Sequence, residues 1–305
     1  MNEVRPKSEF IVPRDGAIYF HTVKDRCLDL IKFGIWEGIS ATDLRSWFNN
    51  FDGELELYFA ACLLDNFVFR SKKQTLSLEK ELFIKHIPKV LKKFGYDFDD
   101  ARGFLNFLKG YQDKVRLVEV VHSEDGPAKS SPILLRHLRR EFEVNNSAII
   151  KPEQIKREKD AGITCFIFID DILATGDQFQ TLYTSYQLSN LLNDCIVIYA
   201  PTVSHEAGVK KLSSILPNVN LTSSEKLDAS SDVFKHSFDD NENDEAKARI
   251  FYTHLLTKYN FRPSENNIYG YGNLALAYAF NDSIPDNCLH LFWVKKDNWH
   301  PLIKR

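Results

Sequence analysis

Cysteine is scarce and widely spaced. Cys27, Cys62, Cys165, Cys195 and Cys288 form no C-x-x-C pair, so neither a disulfide framework nor a zinc ribbon is indicated, and reduced, mostly buried thiols are expected. Long apolar runs are missing as well. No window approaches the ~18 uninterrupted apolar residues of a membrane span, and the start, MNEVRPKSEF, lacks the apolar stretch of a secretory leader. A soluble protein with no membrane partner and a cytoplasmic location is therefore expected. Charge of one sign is lacking too: a formal net charge of -3 neither demands nor excludes an anionic partner held by a local basic patch. There is no internal repeat and no G-x-x-x-x-G-K-[ST] sequence, which removes the ordinary P-loop enzymes. SHEAGVKKL, residues 204–212, begins like a zinc-protease helix but has Val209 where the second histidine is required, so that reading fails. What is present is an ordinary globular composition, 44% hydrophobic and 27% charged, in a length that suits one large domain or a core with an appended module.

Residues 1–110 read mainly as a helical N-terminal region. In DRCLDLIKFGIW and in the stretch from Ala41 to Ser71, apolar residues recur at three- and four-residue spacing, with Thr42 or Asp43 placed as an N-cap. Trp36, Trp47, Phe48, Phe51, Tyr58, Phe59, Phe67 and Phe69 share that pattern; core packing is the first reading and a stacking surface for bases the second. Lys89, Lys92 and Lys93 read as a solvated helix face, as do Arg136, Arg139 and Arg140, with nucleic-acid contact the alternative for the arginines.

After residue 110 the pattern changes to strands alternating with helices, the signature of a parallel sheet covered on both faces. VRLVEVVHS, ITCFIFID and CIVIYAPT read as strands; SPILLRHLRREFEV and QFQTLYTSYQLSNLL read as helices. The acidic run from Glu225 to Glu245 reads as a surface excursion before the helix AKARIFYTHLLTKY. The closing segments YGYGNLALAYAF and NCLHLFWV are expected to finish the sheet. The division is thus 1–110, helical, and 111–305, α/β.

One stretch carries chemistry: FIFIDDILATGDQF, residues 166–179. The uniformly apolar run up to Ile169 fits a central parallel strand buried on both faces, which puts Asp170 and Asp171 at its carboxyl end, the edge where open α/β sheets bind ligands. Two adjacent carboxylates repel each other and resist desolvation, so they call for compensation by sugar hydroxyls or a metal-chelated substrate. Ala174-Thr175-Gly176 permits a tight turn whose amides, with the helix start near Gln178, can surround a phosphate. The competing reading is a strand end running into an acidic loop. Receiver domains also place acid pairs at strand ends, but after their first strand, whereas more than 160 residues precede this pair.

An apolar strand followed by D-D-x-x-x-T-G resembles the phosphoribosyl pyrophosphate (PRPP) signature of type I phosphoribosyltransferases. The resemblance implies a parallel-sheet core of that type. It also implies that Asp170 and Asp171 hold the ribose 2′ and 3′ hydroxyls, and that Ala174, Thr175, Gly176, Asp177 and Gln178 wrap the 5′-phosphate. This chain departs from the family at Asp177 and Gln178, where a small residue and then Thr or Ser are usual; Asp177 either repels a phosphate or caps the next helix. A second family element, the pyrophosphate loop, has its counterpart in HSEDGPAKSS, where Lys129 and the amides of Ser130 and Ser131 are the candidates, against a plain capped surface loop. His122 is a weaker candidate for the same site.

The ending LHLFWVKKDNWHPLIKR is similar to that of a phosphoribosyltransferase-like group of prokaryotic conflict systems, some members of which are encoded beside retron reverse transcriptases. Trp293, Trp299, Pro301, Leu302 and Arg305 fit its pattern. The resemblance implies an enzyme using Mg2+ with PRPP or a nucleotide; separately, Trp293 is a candidate aromatic for stacking on a base. The resemblance also implies an anti-phage role, with a reverse transcriptase and its RNA-linked DNA as candidate partners and oligomers allowed. The alternative is a catalytically inactive module that senses a nucleotide or sugar phosphate and binds a protein or nucleic acid.

Overall fold

The two most apolar segments of the second half become the two longest strands. The computed structural model describes residues 9–111, 113–120, 130–238 and 242–304. Its strands are β1 (Val68–Arg70), β2 (Val115–Glu119), β3 (Ile149–Ile150), β4 (Cys165–Leu173), β5 (Ile196–His205), β6 (Val219–Leu221), β7 (Glu225–Leu227) and β8 (Tyr278–Phe280). By its contacts the chain forms two units, Met1–Thr75 with Ala229–Arg305, and Leu76–Asp228.

The unit Leu76–Asp228 is an α/β fold on one parallel sheet, in the order β3-β2-β4-β5-β6, with β7 also pairing the end of β5. The helix Ser130–Glu141, which leads from β2 to β3, sets Leu134, Leu135 and Leu138 against Leu117, Ile167 and Ile169 on one face. The helices Ile155–Asp160, Asp177–Ser185 and Glu206–Ile215 run the other way across the sheet and cover the opposite face. There Ile155, Phe179, Leu182 and Leu212 meet Phe166, Phe168, Val197 and Tyr199. Opposite directions of travel with opposite faces are what a single crossover handedness requires.

The boundary expected at residue 110 is displaced. Leu82, Phe83, Ile87, Leu91, Phe104 and Leu108 belong to the same buried cluster as Ile167 and Ile169, because that sheet face has only one crossover helix and would otherwise expose its aliphatic residues to water. The helices of residues 82–109 are thus part of the α/β unit.

The other unit is helical and aromatic. All eight aromatic residues from Trp36 to Phe69 singled out above are buried, which makes them core rather than a stacking surface. The helix Ala41–Phe48 is capped by Ser40, with Asp43 completing a capping box, in place of a cap at Thr42 or Asp43. The closing segments do not finish the parallel sheet. Tyr278–Phe280 pairs with Val68–Arg70 in a separate two-stranded parallel ribbon, and the indoles of Trp47 and Trp299 both donate to the Leu291 carbonyl, at 2.6 and 3.3 Å. Trp293 lies in this unit, donating to the Cys288 carbonyl at 3.2 Å, and Arg305 lies outside the described residues.

The acidic run is only partly a surface excursion. Its start is β7, and Phe234 and Phe238 inside it are 0% and 1% exposed, Phe238 stacking on Phe59 with ring centroids 5.2 Å apart. Among the described residues no helix is long and apolar enough to cross a membrane. Replacing Phe234 by Ala should lower the unfolding free energy by about 3–5 kcal/mol, as for other buried phenylalanines; chemical denaturation measures it, and a change under about 1 kcal/mol, the range of surface substitutions, would contradict a core role.

Candidate active site where the strand order reverses

The chain leaves β2 in one direction across the sheet and β4 in the other, so the gap between these neighbours at their carboxyl ends is a topological switch point, where open α/β sheets form their ligand crevice. β2 and β4 stay in register up to Glu119↔Ile169. Beyond that pair, among the described residues, β4 pairs with β5 alone, through Asp170↔Pro201 and Ile172↔Val203. The two acids therefore lie where β4 loses its neighbour. They lie within the last stretch of pairing at the strand's carboxyl end: β5 extends to His205 and holds β4 extended as far as Leu173.

Alternation along the strand starts the two side chains toward opposite faces, yet their carboxyls meet in a side-chain hydrogen bond. Asp170 is 1% exposed. Its Oδ2 accepts from the Tyr199 hydroxyl at 2.8 Å, and its Oδ1 accepts from the backbone N–H of Asp171 at 3.0 Å. Tyr199 in turn lies flat on Phe179, with ring centroids 3.9 Å apart and planes 4° from parallel. Burial, and after it the charge of Asp171, hold the Asp170 carboxyl well above the usual carboxylate range, while the Tyr199 bond pulls it back. Asp171 is half-buried, and one of its carboxylate oxygens accepts from the Ile172 N–H at 2.8 Å. By strand register Glu119 shares the face of Asp171, and burial raises its carboxyl too.

The loop after β4 is built by its neighbours. Gly176 has φ +85°, a left-handed conformation that glycine adopts without strain, and serves as N-cap of the helix Asp177–Ser185. The helix Glu206–Ile215 packs against this loop: a Cβ at Gly208 would come within 2.4 Å of the Ala174 carbonyl oxygen. From the same helix, Lys211 pairs with the Asp177 carboxylate. This answers whether Asp177 opposes an anion: as first residue of the helix it favours the dipole, and Lys211 offsets its charge. Thr175 Oγ1 accepts from the Asp177 N–H at 3.4 Å, and Gln178 Nε2 donates to the Val120 carbonyl at 3.4 Å, tying the loop to the end of β2.

Lys129 and His122 lie outside the described residues, and Ser130 and Ser131 open the helix Ser130–Glu141 with their side chains undescribed. No group of three or more His, Cys, Asp or Glu side chains suited to a metal occurs among the described residues. Mg2+ fits this site only as a chelate of a ligand's phosphates, since it keeps several waters and takes one or two carboxylates.

Sequence reasoning found the acids and the turn but missed Tyr199, Phe179, Gly208 and Lys211. Strand alternation gave a usable signal for Tyr199, which stands in β5 opposite Phe168, two positions before Asp170 on the same face. The histidine of SHEAGVKKL is a helix cap, its Nδ1 accepting from the Ala207 N–H at 3.2 Å.

A family model described as PRTase-CE matches residues 44–305. The chain belongs to the PRTase-CE family. This PRTase-CE chain is accordingly a phosphoribosyltransferase-like protein, and its parallel sheet with helices on both faces agrees with a type I phosphoribosyltransferase-like fold. No curated protein and no solved structure matches it.

In this PRTase-CE site, Gly208→Ala should displace the loop at a cost of about 1–3 kcal/mol, the usual range for overpacking; denaturant unfolding is the measurement, and a neutral result would contradict the close approach. Stability should also carry a pH signature of Asp170. A carboxyl whose folded value lies above its unfolded one contributes stability that is complete below about pH 4, where unfolded Asp is protonated, and that is lost as pH rises toward the folded value. The unfolding free energy of wild type minus that of Asp170→Asn should therefore fall as pH is raised from about 4 to 8. A difference independent of pH would show Asp170 to be unperturbed.

Proposed function

We propose that this PRTase-CE protein acts at C1 of a phosphoribosyl group, taking PRPP or a nucleotide with Mg2+. One observation carries the reading: an acid-bearing central strand, at the point where strand order reverses, runs through a glycine turn straight into a helix N-terminus. That order offers carboxylates to ribose hydroxyls and backbone amides to a terminal phosphate within one short segment. Ala174 to Gln178 form the phosphate loop, Asp170 and Asp171 the ribose side, and the segment that contains Lys129 and leads to Ser130 and Ser131 the pyrophosphate side.

The bond from C1 to pyrophosphate breaks as one forms from C1 to an acceptor, a base nitrogen or water, which leaves oxocarbenium character on the sugar in passing and negative charge on the leaving group. The chain's contribution is then positioning and charge stabilisation, without a covalent nucleophile. When bound, Mg2+ offsets the charge of the departing pyrophosphate. The conflict-system setting, with a retron reverse transcriptase and its RNA-linked DNA as partner, rests on the terminal Trp293, Trp299, Pro301, Leu302 pattern and suggests where to look for an acceptor.

A sensing module is the second reading, favoured by the Asp177–Lys211 pair, which closes an ionic contact inside the phosphate loop before any ligand arrives. Thermal unfolding with PRPP and Mg2+, followed by a pyrophosphate assay with and without purine and pyrimidine bases as acceptors, separates the two. The enzyme reading expects stabilisation of about 2.7 kcal/mol at a ligand concentration of 100 Kd, together with pyrophosphate release that Asp171→Asn abolishes. Stabilisation without release selects the sensor; no stabilisation at any PRPP concentration refutes the site.

A further inference from the structure

Neighbouring acids in one motif invite the view that they do one job, but their surroundings differ. Both oxygens of Asp170 are taken up inside the protein, one by the Tyr199 hydroxyl and one by the Asp171 backbone N–H, and the residue is 1% exposed. Its carboxyl also meets that of Asp171, but to reach a sugar it would have to leave Tyr199, which is itself 1% exposed and stacked on Phe179 at 3.9 Å. Asp171 is half-buried and lies on the face covered by the helix Ser130–Glu141, on the side where the chain leaves β2.

Resting on the phosphoribosyl reading above, we infer that the pair is divided: Asp171 alone receives the ribose diol, and Asp170 is a positioning residue that fixes the Asp171 backbone from within the core. A single carboxylate suffices for a cis-diol, because each oxygen carries two lone pairs and can accept a hydroxyl beside a bond it already makes, as Asp171 Oδ1 does with the Ile172 N–H. Asp170 acts through the bond to the Asp171 N–H, and Tyr199 with Phe179 holds Asp170 in the rotamer that makes that bond. The protonated state favoured by burial agrees with this role, since a neutral acid in the core needs no counter-charge. Phe179 also belongs to the helix that follows the phosphate loop, so the stack ties the positioning residue to the element that would carry the phosphate.

The test is calorimetric titration of wild type and variants with PRPP and Mg2+. Asp171→Asn should weaken binding by about tenfold to a hundredfold, the loss expected for hydrogen bonds to a charged group. Asp170→Asn retains an acceptor for the Asp171 N–H, so it should weaken binding only a few-fold, about the loss for a neutral hydrogen bond, and should recover most of the affinity that Asp170→Ala loses. Equal losses in the two Asn variants, with wild-type binding intact, would overturn the division and leave the site standing. Tyr199→Phe gives a second reading should Asp170→Asn fail to fold. If Asp170 must leave Tyr199 to meet the sugar, that variant binds more tightly than wild type and the inference falls; if Asp170 stays in place, binding is unchanged or weaker. Absence of binding by wild type would sink both this inference and the reading it rests on.

Discussion

The hydrogen bond from Tyr199 to Asp170 is the contact around which the candidate site is organised. A carboxyl group removed from water is costly unless it is neutral or fully bonded, and here it is bonded, with burial holding it well above the usual carboxylate range. The compensation comes from a tyrosine on the next strand and from the peptide N–H of the very next residue. One acid is thereby spent on architecture. The other, on the opposite face of the same strand, is left nearer to water.

The loop after β4, the proposed phosphate loop, is supported in the same way, from a neighbouring element. Gly176 turns the chain, and Gly208 lets the helix Glu206–Ile215 approach the Ala174 carbonyl closely enough to bring Lys211 against Asp177. The departure from the family pattern at Asp177 is thus matched by a cation from outside the motif. Phe179, in the first turn of the helix after the loop, stacks on Tyr199, so the loop and the buried acid share one packed cluster. An isolated surface ion pair contributes little to stability; the consequence of this one is local charge in the loop.

How much of this could be seen in the sequence follows from range. The parallel sheet was visible because a buried strand declares itself in consecutive residues: Cys165 to Ile169 is apolar throughout, and so is Ile196 to Ala200. The acid pair and the turn lie within one nine-residue motif and were equally visible. Tyr199 bonds to Asp170 across 29 residues of sequence, and only the β4–β5 register brings them together. The pairing of Val68–Arg70 with Tyr278–Phe280 spans most of the chain, so the tail was assigned to the wrong sheet. Phe234 and Phe238 were hidden for another reason: they stand among acids and serines, where composition points outward although the side chains point in.

The central claim is that Asp170 is a bonded core group whose carboxyl burial holds above the usual range, and the proposal built on it is that Asp171 is the acid a ligand meets. Carbon-13 NMR of the aspartate side-chain carboxyls, assigned by their loss in single variants, tests it most directly. The account predicts an Asp170 signal that titrates above the ordinary aspartate range and is little affected by PRPP and Mg2+, beside an Asp171 signal that shifts on their addition. An Asp170 signal that titrates in the ordinary carboxylate range, or one that moves with ligand while Asp171 stays still, would contradict it.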